Sequence, residues 1–257
     1  MNSPHISTTY NPMMAMMGIA AGLMLSALDQ TVIGNALPSI VSDLDGFEYY
    51  AWIATVYLLS SIIAIPVFGR LGDYYGRKPF VIAACAVFTS ASALCALANS
   101  IELLLLARGL QGLGGGMLIG TAFACIPDLF PDNRKRLKWQ IFLSSAFSLV
   151  NALGPPLGGL MTDLLGWRSI FLLNIPFGIL AVYLLWKHLP LIYHSAPTKR
   201  SLDWCGALLI GVMLCSMQFS IEYYAEHGLS MITAAALVTL LMTAILFIKR
   251  ESTAASP

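Results

Sequence analysis

The stretch Gly-Arg-Leu-Gly-Asp-Tyr-Tyr-Gly-Arg-Lys-Pro-Phe-Val, residues 69–81, sets a charged, glycine-rich turn between two long apolar runs. Residues 51–68 before it and 80–98 after it contain no charged side chain, so both read as membrane-spanning helices joined by a very short connection. Gly69, Gly72 and Gly76 permit a tight turn and close helix approach. Arg77 and Lys78 place positive charge on the side expected to be cytoplasmic. A turn that is basic only to fix topology is the plainer alternative.

Composition points the same way. The chain has 257 residues, 58% of them hydrophobic and 11% charged, which is too apolar for a soluble domain. A net charge of +1 gives no global field to attract nucleic acid. Cys85, Cys95, Cys125, Cys205 and Cys215 lie inside apolar runs without metal-type spacing, so neither a disulfide framework nor a metal site is expected. The first apolar run outlasts a signal peptide and has no small-residue cleavage pattern, so it reads as a retained span.

Runs of roughly twenty apolar residues mark eight candidate spans: 13–37, 51–68, 79–98, 101–125, 139–165, 169–186, 204–224 and 229–248. The fold class is therefore all-α integral membrane. Arg70, Arg77, Lys78, Arg134, Lys135, Arg136, Lys138, Lys187, Lys199, Arg200, Lys249 and Arg250 fall on one side under this count, while Arg168 falls opposite. That asymmetry predicts a multi-pass protein of the cell membrane with both ends cytoplasmic. The expected organisation is a cytoplasmic tail (1–12), a six-helix bundle (13–188), a cytoplasmic linker (189–203), a further helix pair (204–250) and a short tail (251–257).

Two spans carry ionisable residues at depth, which points to function by default. Asp29 lies roughly 14 Å below the outer end of the first span, counted back from Pro38 at about 1.5 Å per residue. Arg108 lies roughly 11 Å down the fourth span by the same rise, with Gln111 one turn away on its face. The depths match, so a direct or water-bridged pair is geometrically open. The alternative is a pair, or a snorkelling charge, that serves packing alone. The fifth span contains Gly154-Pro155-Pro156-Leu157-Gly158-Gly159, which is expected to bend the helix and admit a neighbouring backbone. The sixth carries Asn174 and Pro176 after an interfacial Trp167-Arg168 pair.

These features together resemble the major facilitator superfamily, in particular its drug:proton antiporter branch of about fourteen spans. Gly69, Asp73, Gly76, Arg77 and Lys78 match the signature between the second and third helices. The run from Leu28 to Pro38 resembles the branch's first-helix motif, although Gly34 stands where asparagine is common and Asn35 follows it. Arg108, Gln111, Gly112 and Gly114 match the fourth-helix motif. Gly154, Pro155, Gly158 and Gly159 match the exporter-type motif, with Val150 replacing its upstream glycine. Trp167 to Gly178 resembles the Trp-Arg-x-x-Phe-x-x-Asn-x-Pro-x-Gly run of the branch.

The resemblance implies a proton-coupled exporter of small amphipathic molecules, powered by the proton gradient, with no cofactor. Asp29, Arg108, Gln111 and Asn174 would line the proton-coupling or substrate path. Residues 69–78 would act as a cytoplasmic latch in which Asp73 pairs across to a second bundle. The chain corresponds to the N-terminal half plus the central helix pair, so a C-terminal half or a homodimer would supply the facing wall. Without that wall, Asp29, Gln111 and Asn174 are expected to face lipid or a collapsed groove, and the chain alone is expected to insert without transporting. A non-transporting membrane interaction protein is the competing class. An enzyme is the third and least supported class, since the sequence offers no nucleophile–base pair or ligand cluster, and none is expected.

Overall fold

The computed structural model describes residues 11–191 and 204–253. All regular structure among them is helical, and eight helices are long and apolar enough to cross a membrane. Residues 192–203 of the linker named above, and residues 1–10 and 254–257 of the tails, lie outside the described residues.

The first compact unit contains α1 (Pro12–Asp43), a 3₁₀ turn (Phe47–Tyr49), α2 (Tyr50–Tyr75), α3 (Arg77–Ala96), α4 (Ile101–Leu129), α5 (Asn133–Leu165) and α6 (Arg168–His188). Starts are marked by side-chain caps. Asn11 accepts from the Met13 amide at 3.0 Å with Pro12 at the first helical position, Ser100 accepts from Leu103 at 3.3 Å, and Asp132 accepts from Arg134 at 3.0 Å.

The helices outrun the apolar stretches that announced them. The charged segment after residue 68 is not a loop: α2 continues through Gly69, Arg70, Gly72 and Asp73 to Tyr75, and Gly76 alone makes the turn, at φ 89° and ψ 141°. Helical hydrogen bonding continues into the polar interface because no proline or other break lies between Phe68 and Gly76. At about 1.5 Å per residue α2 is about 39 Å long, against roughly 30 Å of hydrocarbon. The basic run Arg134 to Lys138 likewise belongs to α5, and α5 runs unbroken through Pro155 and Pro156.

Helix α4 packs between α2 and α3, α1 packs against α5 and α6, and α3 against α6. Glycines set the α2/α4 distance. Gly112, Gly116 and Gly120, four residues apart on one face of α4, meet the carbonyls of Tyr57, Ser61 and Ile65, four residues apart on α2. A Cβ built on Gly120 would stand 2.5 Å from the Ile65 oxygen. On the opposite face Gly114 abuts Phe88 of α3, with a built Cβ 2.6 Å from its nitrogen. Small residues at this spacing let backbones approach where lipid offers no hydrophobic drive for helix association.

The interior is layered. One apolar cluster includes Ile19, Leu23, Phe88, Leu118 and Leu185, and the other includes Val32, Ile40, Leu104, Ile53 and Phe171. In α1, α3, α4 and α6 the chain passes from one cluster to the other through a buried polar residue: Asp29, Ser92, Arg108 with Gln111, and Asn174.

The second compact unit is the helical hairpin α7 (Trp204–His227) and α8 (Met231–Thr253). Gly228 turns it at φ 68°, and Ser230 caps α8 by accepting from the Thr233 amide at 3.2 Å.

Candidate functional site

The polar layer converges on one carboxylate. Asp29 Oδ2 accepts from Arg108 Nη1 at 2.5 Å, and Oδ1 accepts from Gln111 Nε2 at 2.8 Å and Asn174 Nδ2 at 3.3 Å. Arg108 also donates from Nη1 to Gln111 Oε1 at 2.7 Å and from Nε to the Ile53 carbonyl at 3.3 Å. Ser92 Oγ accepts from Gln111 at 2.7 Å and from Asn174 at 3.2 Å, which fixes both amides. Asp29, Arg108, Gln111 and Asn174 are each no more than 1% exposed.

This placement corrects one expectation. Asp29, Gln111 and Asn174 do not face lipid or an open groove: each points into the six-helix unit and finds its partners there. The reason is physical. An unpaired charge or amide in a low-dielectric interior is costly, and α1, α3, α4 and α6 together bring five complementary groups to the same depth.

Two aromatic rings complete the surroundings. The Arg108 guanidinium carbon lies 4.5 Å from the Tyr57 ring centre and 5.9 Å from that of Phe171. The Tyr57 hydroxyl shares a 3.0 Å hydrogen bond with Ser26 and accepts from Gln30 Nε2 at 3.5 Å. Sequence reasoning missed Ser92, Ser26 and Tyr57. Their signal is weak, because serine and tyrosine are ordinary residues of membrane helices, but each sits on a helix face that already carries a motif residue or its partner.

The charged turn forms a separate cluster. Arg77 donates to Asp73 Oδ1 from Nε at 3.1 Å and Nη2 at 2.7 Å, and from Nη1 to Asp128 Oδ2 at 2.7 Å and to the Ala124 carbonyl. One guanidinium thus ties the end of α2, the start of α3 and the end of α4. Lys78 donates to the Trp186 carbonyl at 2.9 Å near the end of α6. Asp73, assigned above to a partner across bundles, is engaged within its own unit, although its side chain stays 56% exposed.

The fifth-helix motif lies against α1. Gly154 meets Thr31, and a Cβ on Gly158 would stand 2.7 Å from the Val32 carbonyl. Asn35 donates from Nδ2 to the Pro155 carbonyl at 2.6 Å, while a Cβ on Gly159 would have only that Asn35 nitrogen nearby, at 3.8 Å. At the far end of the bundle Arg168 Nη1 and Trp167 Nε1 both donate to Asp43 Oδ2, at 2.7 and 3.1 Å, and Arg168 Nη2 donates to the Ala98 carbonyl at 3.1 Å. No group of three metal-binding side chains occurs among the described residues.

The arrangement has one chemical capacity that stands out. One buried carboxylate gathers a guanidinium and two amides, and so ties α1 to α4 and α6 at a single point. Comparison with known proteins agrees with a transporter. The chain is 35% identical over 208 residues to Multidrug resistance protein 3 of Bacillus subtilis, covering 80% of this chain and 40% of that protein. It is 34% identical over 242 residues to Multidrug transporter protein MdtP of the same organism, covering 93% and 44%. The chain thus spans less than half the length of these relatives. Among solved structures, an auto-inhibited POT family peptide transporter superposes with a TM-score of 0.57 over 89% of this chain and 50% of that one, at 18% identity, a likeness of fold alone. The Major Facilitator Superfamily profile matches residues 19–250, and the chain belongs to that family.

Proposed function

We propose that this chain forms the proton-responsive half of an exporter of small amphipathic molecules in the cell membrane. The observation that carries the reading is the Asp29–Arg108 pair, held at 2.5 Å with Gln111 and Asn174 on the second carboxylate oxygen. A charge pair in the hydrocarbon interior carries a desolvation cost of several kcal/mol per ion, and its retention at that depth fits a working role. Protonation of Asp29 removes the ion pair while leaving neutral hydrogen bonds, which loosens α1 from α4. The names of the similar Bacillus proteins support drug-like substrates.

In this reading the Arg77 end of the bundle faces the cytoplasm, because Arg70, Lys78, Arg134, Lys135, Arg136, Lys138 and Lys187 gather at that end. Both chain ends then lie in the cytoplasm. Gly69, Asp73, Gly76, Arg77 and Lys78 act as a latch that parts from a second bundle during the cycle. Gly154, Pro155, Gly158 and Gly159 seat α5 on α1.

The test is gradient-driven export of ethidium from sealed vesicles by a transporter in which this chain is joined by a second bundle. Asp29→Asn is expected to abolish proton-dependent export with insertion intact, and Asp29→Glu to retain part of it. Undiminished export by Asp29→Asn rejects the assignment. A non-transporting membrane interaction role is the second reading, favoured by a polar layer satisfied within six helices. Vesicles containing this chain alone discriminate it from a half-size transporter: the expectation is no proton-dependent export.

A further inference from the structure

Neutral Asp29 poses a problem for Arg108. The guanidinium is 1% exposed, and losing its carboxylate partner leaves a full positive charge in a low-dielectric interior, the situation that makes breaking a buried pair costly. What remains are two carbonyl-type acceptors, Gln111 Oε1 at 2.7 Å and the Ile53 carbonyl at 3.3 Å, and the ring faces of Tyr57 and Phe171. None of these changes charge when Asp29 takes a proton. The titratable or charged groups facing the guanidinium are Asp29 from α1, Tyr57 from α2 and Cys95 from α3; α6 brings Phe171 and Asn174, which do not titrate.

Both rings are fixed in place. Tyr57 is 1% exposed, its hydroxyl is hydrogen-bonded to Ser26 and Gln30, and its carbonyl and hydroxyl abut Gly112 and Gly115, where a Cβ would collide. Phe171 is fully buried and meets the Trp167 ring edge-on at 6.1 Å. A ring face attracts a guanidinium through its quadrupole, and the attraction grows once water is excluded.

We propose that Tyr57 and Phe171 are positioning residues that retain the Arg108 cation while Asp29 is uncharged, so that protonation frees α1 without dislodging α4. The proposal rests on the proton-coupling role given to Asp29. It adds a direction to it: the fixed frame is α2, α4 and α6, which hold the cation by ring faces and by amide and backbone carbonyls, and the released element is α1. Tyr57 does this with its ring, not with its hydroxyl.

A double-mutant cycle on the chain in detergent micelles tests this, with Asp29→Asn standing for the protonated state and the thermal midpoint as the readout. Tyr57→Leu is expected to lower the midpoint by roughly 4 °C more in Asp29→Asn than in the unchanged chain, since only there does the ring carry the cation without the carboxylate. Tyr57→Phe keeps the ring and is expected to show no excess. Adding Arg108→Met to Asp29→Asn should abolish the excess, which separates retention of the cation from filling of a cavity. Where Tyr57→Leu does not fold, Phe171→Leu gives the same cycle with a smaller excess, its ring lying at 5.9 Å. Equal shifts in both backgrounds, or an excess with Tyr57→Phe as large as with Tyr57→Leu, overturn the proposal. The cycle reads stability alone, so its failure is distinguishable from export that survives Asp29→Asn, which would instead reject the proton-coupling role.

Discussion

Replacing Gly116 by alanine tests whether the α2/α4 seam sets the geometry of the buried ion pair. The added methyl would stand 2.8 Å from the Ala64 Cβ and collide with the Ser61 carbonyl, where ordinary contact needs about 3.5–4.0 Å. Neither neighbour is a flexible side-chain end, so the helices must part by roughly 1 Å. Overpacking of this kind costs about 1–3 kcal/mol. Alanine returns about 1 kcal/mol of helix propensity, leaving a net loss of up to about 2 kcal/mol. Gly34→Ala on α1 is the control, since no heavy atom lies within 4 Å of its built Cβ; that substitution should stabilise by up to about 1 kcal/mol. The assay is helicity by circular dichroism in mixed micelles titrated with denaturing detergent. Parting α2 from α4 also pulls Tyr57 and the Ile53 carbonyl away from Arg108, so under the proposed function Gly116→Ala should lower proton-dependent export as well. Midpoints that move in the same direction by similar amounts for the two substitutions would refute the reasoning.

Arg77→Lys should lower the thermal midpoint even though charge is kept, because an ammonium cannot reproduce the fork that reaches Asp73, Asp128 and the Ala124 carbonyl together; Asp128→Asn should then cost less in the Arg77→Lys chain than in the unchanged one, and additive losses would count against a shared network. Asn35→Ala should cost about 0.5–1.5 kcal/mol through the lost hydrogen bond to the Pro155 carbonyl, whereas Gly159→Ala beside it, with 3.8 Å of room, should stabilise by up to about 1 kcal/mol in the same denaturation assay.

Much of the architecture is legible before any coordinates. Eight spans follow from the length of apolar runs, because a helix is the main way for an isolated segment to satisfy its backbone in lipid. Helix ends are less legible: α2 keeps its hydrogen bonds through Arg70 and Asp73, and an apolar run stops where hydrocarbon stops, not where the helix does. Rise per residue puts Asp29 and Arg108 at a common depth, and the structure pairs them. Depth, however, says nothing of rotation about the helix axis. That is why Asp29, Gln111 and Asn174 read as groups needing an external wall although they point inward. Rotation is decided by neighbours, and the glycine rows of α4 that choose those neighbours become readable only once α2 and α3 are known to flank them.

The inward rotation of Asp29 also bears on how coupling would work. Successive residues of a helix are turned by about 100°, so Gln30, Thr31, Gly34 and Asn35 present a partly or fully exposed face of α1 while Asp29 is sealed behind it. Under the proposed function a solute meeting that face does not compete with a proton for the carboxylate itself. The two communicate through α1, which carries the exposed residues on one side and the only carboxylate of the polar layer on the other. Charged Asp29 ties α1 to α4; neutral Asp29 leaves α1 held chiefly by its packing on α5 and α6, where Gly154 and Gly158 admit Thr31 and Val32 at close range. Thr31 and Val32, seated at those glycines, hold α1 to α5 whatever the state of Asp29. Under the proposed function, protonation therefore frees α1 from α4 while α1 keeps its seat on α5, and the two are expected to move together.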